Sequence, residues 1–590
     1  MRLTDAPETR RALEDWLAPE CSGGNFYEMD RSLQDLHLLY MPDDERAHMV
    51  PHFRRLGAIA GTRLDELARL ADRHEPTLHV RDHRGKDEDW IEFHPAYREM
   101  EQIGYGDFGI HCMSRRPGVL GWPGTVSPIV KYSFQYLFTQ SEFGLMCPIS
   151  ATDTSAMLIE RYGDEATKAR LLPGMWSQDM REILKGAQFM TEKTGGSDVG
   201  NIALEARLED GRWRLYGEKW FCSCADGDVA LLLARPAGAA PGTAGLALFA
   251  LPRRLEDGSR NRYRIVRLKD KLGSRSMASG EIVFDGAVAY PLGKVGPAEN
   301  PGLKQMMDQV NMSRLSHGVR AAGMMRRCLN EALAVAHGRF AFGGRLIDKP
   351  LMRRQLAKLL VPTEQVLSLA MYTARMLGRA EAGDAAAAKT VRILTPLLKF
   401  RSARDNVAVA TGAMEARGGN GYIEDWANAR LVRDAHLGVL WEGTSNINAL
   451  DVITRAVAKV GAHHALADSL NATLAEARLP GQFRGELQGT IDRAIGFAES
   501  VASSGDEPHA RQASNALYHV TTAALLASEG ARLGAMGRDA RRLVLSRMVL
   551  DHRLRAHDPL VAGASDRDML AAVLGEEAVG LDRASALVAA

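Results

Sequence analysis

The chain is short of cysteine, of aromatic residues, of net charge and of long apolar runs. Its 590 residues hold only six cysteines: Cys21, Cys112, Cys147, Cys222, Cys224 and Cys328. Their spacing suggests no disulfide framework, and a large chain with few cysteines fits a reducing compartment. Cys222-Ser223-Cys224 lacks the second pair that a zinc site needs, so structural thiols on alternate sites of a strand end are expected. A formal net charge of +1 excludes a chain built wholly around a polyanion. No uncharged apolar run approaches the roughly 18 residues of a membrane span. The opening residues lack the basic-then-apolar order of a signal peptide, so a cytoplasmic location is expected. Hydrophobic content of 46% and charged content of 25% are ordinary for a soluble globular protein.

What is present is length and changing texture. A chain of 590 residues predicts three or four domains. Residues 1–180 read as helical with long connections; Arg54 to Leu70, for example, carries apolar residues at three- and four-residue steps. Residues 181–298 hold short apolar runs, Val229 to Ala234, Leu246 to Leu251, Tyr263 to Val266 and Ile282 to Phe284, parted by Gly and Pro. This predicts a compact β domain of sandwich or barrel type. Residues 299–460 return to helical spacing, with Leu356, Leu359, Leu360, Leu367 and Leu377 on recurring steps and Pro362 starting or kinking a helix. Residues 461–590 add a further helical region, with Asn515 to Leu533 and Leu543 to Leu554 as its clearest segments. The His463-His464 doublet reads as a surface feature rather than a ligand pair.

The most informative feature is Trp441-Glu442-Gly443-Thr444, which follows Gly418-Gly419-Asn420-Gly421. It sets one carboxylate beside an aromatic ring. Apolar surroundings disfavour a charged carboxylate, so Glu442 is expected to be a base with a raised pKa. Such a base removes weakly acidic carbon-bound protons. Further segments accompany it: Met190-Thr191-Glu192-Lys193-Thr194-Gly195-Gly196-Ser197-Asp198, Gly217 to Ser223, Lys269 to Arg275, and Arg339-Phe340-Ala341-Phe342-Gly343. Each alone has a bland reading: a polar loop, a half-buried strand, a helix end, a helix-start carboxylate.

In order and spacing these segments resemble the acyl-CoA dehydrogenase superfamily, from about residue 140 to about 455, and most of all its AidB-type branch. The resemblance implies an α+β fold, mostly α: an N-terminal α domain, a middle β domain and a C-terminal four-helix bundle, here followed by an extra helical region. It implies FAD as cofactor. Gln188, Met190 and Thr191 would border the isoalloxazine ring, and Ser197 would reach the cofactor or the thioester. Phe221 would pack against the flavin, with Ser223 near its N5. Arg339 and Phe342 would cross to a neighbouring subunit's FAD, and Gly419 would offer its backbone to a pyrophosphate. That arrangement implies a homodimer or homotetramer. Thr444 and Asn446 would contact the flavin. Glu442 would take the α proton of an acyl-CoA thioester while the β hydrogen leaves as hydride, and an electron-transfer flavoprotein would collect the electrons. The developing enolate oxygen would be held by the backbone N–H of Glu442 and by a ribityl hydroxyl. Arg314 matches an arginine that orders the site or the thioester; its bland reading is a helix salt bridge. Ser313, before it, cannot serve as the carboxylate that some relatives carry there. Departures include Lys193 where many members have proline, and Glu415 and Arg417 where many have Gln and Leu.

The AidB-type resemblance also implies an alternative: a DNA-associated flavoprotein of the alkylation-damage response with weak or no dehydrogenase activity. Residues 461–590 hold thirteen Arg, no Lys and sixteen Asp plus Glu, so the segment is net acidic by three. A domain-wide phosphate-binding surface is therefore not expected. The run Arg538, Arg541, Arg542, Arg547, Arg553 and Arg555 is locally basic, but Asp539, Asp551 and Asp558 interleave. A third reading is a flavin-bound chain whose substrate cavity is blocked.

Overall fold

The computed structural model describes residues 17–556, 558, 560 and 566–589; the opening residues read above for a signal peptide lie outside these. Two compact units emerge. One comprises residues 63–316 with the short segment 441–443; the other comprises residues up to 62, 317–440 and 444 onward.

The first unit begins with helices and a hairpin. Helix α1 (Arg31–Tyr40) and helix α2 (Asp43–Gly61) belong to the other unit; α3 (Arg63–Arg73) starts this one. The single helix expected over Arg54 to Leu70 is thus two. Thr62 leaves helical geometry (φ −128°, ψ −95°), and the Gly61 carbonyl is taken by the Gly23 N–H at 2.7 Å, which ends the ladder. Strands β1 (Thr77–Arg81) and β2 (Asp87–Glu92) pair antiparallel. Helices α4 (Pro95–Glu101), α5 (Pro128–Thr139), α6 (Met146–Tyr162) and α7 (Glu165–Met175) follow. Every residue of α5 is buried, including Lys131, whose ammonium meets Asp153 of α6 at 2.8 Å. Arg115 adds a second cation to Asp153 at 3.1 Å. Burial alone would raise the Asp153 carboxyl, yet Lys131 and Arg115 outweigh it and hold it below its ordinary value.

The strands β3 (Gly186–Phe189), β4 (Glu205–Glu209), β5 (Arg212–Ser223), β6 (Val229–Pro236), β7 (Ala247–Pro252), β8 (Tyr263–Leu268) and β9 (Ser279–Pro291) form one sheet. Its order is β3-β6-β4-β5-β9-β7, with β8 on β9, and a further β6–β7 pairing closes the path into a barrel. The apolar runs read from sequence fall in β6 to β9, save Leu246, which lies just before β7. β6 and β7 are buried almost throughout, as continuous apolar runs require. β8 alternates, Tyr263 and Ile265 inward, Arg264 and Val266 outward.

The second unit is helical. Helix α8 (Gly302–Gly338) crosses from one unit to the other by its residue assignment, and a hairpin of β10 (Phe340–Ala341) and β11 (Gly344–Arg345) follows it. The long helices α9 (Pro350–Glu381) and α10 (Ala385–Arg417) pack side by side, and Pro362 sits inside α9 rather than at its start. Then come α11 (Ala427–Leu437), α12 (Ser445–Leu450), α13 (Ala462–Ala475), α14 (Gly481–Ser504), α15 (Ala510–Ala535), α16 (Arg541–Val549), α17 (Arg567–Leu574) and α18 (Leu581–Ala589). α15 is buried on every face from Leu517 to Ala531, so it is the axis of the C-terminal region. It packs against α9, α13, α14 and α16.

Charge is buried where these helices meet. Arg542 of α16 bonds Glu364 of α9 at 2.6 Å and Glu529 of α15 at 2.9 Å. Glu364 also takes Arg326 and, at 3.0 Å, the Ser32 hydroxyl, while Arg326 reaches Asp30 at 3.2 Å. Tyr40 closes the set by donating to Glu529 at 2.7 Å. The network joins the N-terminal helix α1, the bundle and the C-terminal region. The histidine doublet departs from its expected place: His464 is exposed, but His463 is buried.

Candidate active site

Within the first unit the predicted residues occupy three neighbouring stretches of backbone. β3 carries Gln188, whose amide donates to the Met306 sulfur at 3.3 Å. The chain then leaves the sheet through Met190 and Thr191. The Met190 carbonyl accepts from Lys219 at 3.3 Å, and the Thr191 carbonyl accepts from the Trp220 N–H at 2.8 Å. These bonds tie the loop to β5. Glu192 anchors it from below, accepting from the Ala203 N–H at 2.6 Å and pairing with the fully buried Lys219 at 2.7 Å. A side chain at Gly196 would sit 2.7 Å from the Thr191 hydroxyl, so glycine lets the loop fold over that residue. Ser197 is exposed at its rim. Lys193 pairs with Glu218 at 2.6 Å on the surface.

β5 presents Phe221 through a bulge. Pairing with β9 passes from Lys219↔Ile282 to Cys222↔Gly280, so Trp220 and Phe221 together face one residue. Bulges re-aim side chains. Phe221 is left 53% exposed while Cys222 beside it is fully buried. Cys222 and Cys224 are both buried thiols, as expected, although Cys224 lies past the strand end with φ 55°. Ser223 is half-buried and pairs with Ser279.

Glu442 belongs to the same unit. Its backbone is left-handed (φ 54°), and Gly443 follows at φ 91°. Left-handed geometry is unusual for a residue with a long side chain and costs energy that the surroundings must supply. The Glu442 carbonyl accepts from Arg314 Nε at 3.3 Å. Arg314, buried on α8, also donates to Asn311 at 3.3 Å. Trp441 stacks on Phe143, ring centres 5.9 Å apart. Sequence reasoning missed Phe143 and its neighbour Glu142. The Glu142 carboxylate accepts from the Leu145 N–H and from the Ser276 hydroxyl, both at 2.9 Å, and so joins the start of α6 to the residue just after the Lys269-to-Arg275 segment. Its sequence signal was only an acid four residues before a helix start.

In the second unit, Arg339 follows α8 and lies at the edge of the glycine segment. A Cβ built on Gly418 (φ 75°) would come 3.8 Å from its guanidinium. Gly419 is exposed, and a Cβ there would meet no atom within 4 Å. Phe342 and Gly343 form the turn of the β10–β11 hairpin, both left-handed, at φ 52° and 73°. Lys349 braces that turn by donating to the Phe342 carbonyl at 2.7 Å, and Phe342 is 90% exposed. Thr444 caps α12 by position, without a side-chain cap bond, and Asn446 is exposed, its side chain 3.5 Å from Arg511. Arg417 is consumed elsewhere: buried, it pairs with Glu331 at 2.5 Å and donates to Asn428 at 2.8 Å.

Most arginines of the C-terminal basic run are ion-paired. Arg541 pairs with Asp539 at 2.6 Å, Arg547 with Glu486 at 3.0 Å, and Arg555 with Glu486 at 2.5 Å. Arg542 is buried in the network above, and Arg538 lies 3.7 Å from Asp35. Of the interleaved acids, Asp539 pairs with Arg541 and Asp551 with both Arg547 and Arg555.

Comparison with known proteins agrees with this architecture. The adaptive response protein AidB N-terminal domain matches residues 17–180, the acyl-CoA dehydrogenase middle domain residues 187–287, and the acyl-CoA dehydrogenase C-terminal domain residues 300–458. The chain is 35% identical over 425 residues to the putative acyl-CoA dehydrogenase AidB of Escherichia coli (strain K12), covering 68% of this chain and 73% of that protein. It is 32% identical over 440 residues to acyl-CoA dehydrogenase family member 11 of Caenorhabditis elegans, covering 72% and 69%. Among solved structures, that of Caenorhabditis elegans ACDH-11 in complex with C11-CoA superposes with a TM-score of 0.83 at 27% identity, over 92% of this chain and 93% of that one. With its AidB-type N-terminal domain, middle β barrel and helical bundle, the chain belongs to the acyl-CoA dehydrogenase family, in the AidB-type branch.

Proposed function

We propose that the protein is an FAD-dependent enzyme that removes the α and β hydrogens of an acyl-CoA thioester, with Glu442 as the base. Family members are FAD-dependent flavoproteins. The residues present here fit that cofactor. Phe221 offers a half-exposed ring, with the Lys269 ammonium over it at 4.7 Å, beside a fully buried strand neighbour, and a Cβ on Gly419 would meet no atom within 4 Å. Gln188, Met190, Thr191, Ser197, Phe221 and Ser223 would hold the ring system; Thr444 and Asn446 would add contacts. Arg339, Phe342 and Gly419 would serve the cofactor of a second copy, which makes the working unit a homodimer or homotetramer. When bound, FAD supplies the hydride acceptor for the β hydrogen.

The observation that carries the reading is the left-handed Glu442 with its carbonyl held by the buried Arg314. That bond fixes the peptide on one side of Glu442, and the Trp441–Phe143 stack fixes the residue before it. A base carried on a held and strained backbone suits proton removal from carbon, because the base must be aimed before substrate arrives. In the reaction the Cα–H bond breaks toward the Glu442 carboxylate, which becomes a carboxylic acid. The electron pair left on Cα forms the new double bond as the β hydrogen departs with its own pair. The backbone N–H of Glu442 would donate to the thioester oxygen as negative charge grows there. Binding of an acyl-CoA is supported by the C11-CoA complex of the nematode neighbour. Electrons would then pass to an electron-transfer flavoprotein.

The match to the AidB N-terminal domain supports the second reading, a DNA-associated flavoprotein of the alkylation response. Arg541, Arg542, Arg547 and Arg555 of the basic run are held in ion pairs, which weighs against that reading. Anaerobic titration with a panel of acyl-CoAs, following flavin absorbance, separates the two. Bleaching by one chain class, absent in a Glu442→Gln protein that keeps its flavin, is the expected result. Equal bleaching by Glu442→Gln removes Glu442 from its role; a flavin that no thioester bleaches moves the weight to the second reading.

A further inference from the structure

Among the described residues, one cluster of three histidine or acidic side chains has a ligand atom from each within 4.8 Å of the others: His463, His464 and Glu499. It begins 21 residues after Glu442, just past the acyl-CoA dehydrogenase C-terminal domain match, which ends at residue 458. Gly461, left-handed at φ 64°, ends the preceding segment and starts α13, and the two histidines stand in the helix's first turn. Glu499 comes from α14. The Nε2 atoms of His463 and His464 approach the same carboxylate oxygen, Oε1, at 2.9 and 3.4 Å. The two imidazole rings lie 4.0 Å apart.

Successive helical residues normally diverge, so two adjacent imidazoles converging on one oxygen is an unusual arrangement. Its dimensions match a coordination shell. A Zn²⁺ ion with nitrogen and oxygen ligands at about 2.0–2.2 Å in tetrahedral geometry sets its ligand atoms about 3.3 Å apart. The two contacts on Glu499 straddle that value. We propose that His463, His464 and Glu499 bind one divalent transition-metal ion of the Zn²⁺ class, which clasps α13 to α14.

The chemistry of the donor set agrees. Two imidazoles and a carboxylate suit Zn²⁺ and leave a fourth position for water. His464 lines a cavity of about 720 Å³, whose wall also carries Asp468 and Glu476 beside Arg375, Arg379 and Lys389, and the cavity gives an ion a path from solvent. His463 Nδ1 has no hydrogen-bond partner. A metal-bound imidazole usually donates its second N–H to an acceptor, so affinity here should be about 10–100-fold below that of a fully supported site.

The test uses the full chain after chelator treatment and dialysis. Zn²⁺ is titrated calorimetrically, and Co²⁺ is followed by its visible absorption, which is intense for four-coordinate sites. One ion per chain is expected, with a rise in the thermal midpoint. His464→Ala and Glu499→Gln change exposed or half-exposed side chains and leave the fold intact; each should weaken Zn²⁺ by tenfold or more and abolish the thermal gain. No saturable binding overturns the proposal. So does an adventitious ion only, meaning one whose affinity both variants leave unchanged.

Discussion

Glu364 offers the most searching test of how the C-terminal region is fastened. Burial would raise its carboxyl, but the Arg326 and Arg542 guanidiniums and the Ser32 hydroxyl outweigh burial and hold it at about 2, against an ordinary 4.5. That gap corresponds to about 3 kcal/mol of stability. The folded pKa is the lower one, so this stability is fully present above about pH 5 and is lost as pH falls from 4.5 toward 2. Glu364→Gln keeps the shape and removes the charge, leaving two buried guanidiniums with fewer partners. Breaking a buried pair in this way costs about 3–5 kcal/mol. For a unit of this size, roughly 2 °C of thermal midpoint accompanies each kcal/mol. Differential scanning calorimetry at pH 7 should therefore show a fall of about 6–10 °C. The wild-type advantage should shrink on titration below pH 4.5, down to the lowest pH at which both proteins fold. A fall under about 1 °C at pH 7, or an advantage that does not change with pH, would refute the assignment of Glu364 as the charged centre of the network.

Other outcomes follow from single contacts. Gly419→Ala places its methyl where no protein atom lies within 4 Å, so the melting temperature should hold while flavin retention drops about tenfold or more, read by flavin fluorescence after gel filtration. Phe342→Ser removes a ring that is 90% exposed; light scattering should show smaller oligomers and weaker flavin binding, with the monomer no less stable. Lys219→Met strands the buried Glu192 carboxylate and should lower the melting transition by about 3–5 kcal/mol equivalent, measured by denaturant titration.

Much of the fold was legible because it follows apolar spacing. Val229 to Ala234 became β6 and Leu246 to Leu251 lies within β7 save for its first residue, since a run buried on both faces needs no partner to be recognised. The break at Thr62 was not legible, because its cause is a bond from Gly23 that no local pattern announces. The burial of Arg542 and His463 was hidden for the same reason: their partners lie 178 and 36 residues away. Of the candidate site, two residues named from the sequence, Arg314 and Glu442, are joined by a direct bond. Phe143 was not legible, since a lone aromatic before a helix is more often core than a platform for Trp441.

The left-handed backbone of Glu442 has a consequence for selection experiments. That geometry costs a non-glycine residue roughly 1–2 kcal/mol, and glycine escapes it. A library randomised at position 442 and sorted for resistance to heat should enrich glycine, with asparagine behind it. The same library sorted for turnover should return glutamate. On the proposed role of Glu442, folding and chemistry would vote for different residues at one address, since folding alone favours glycine there.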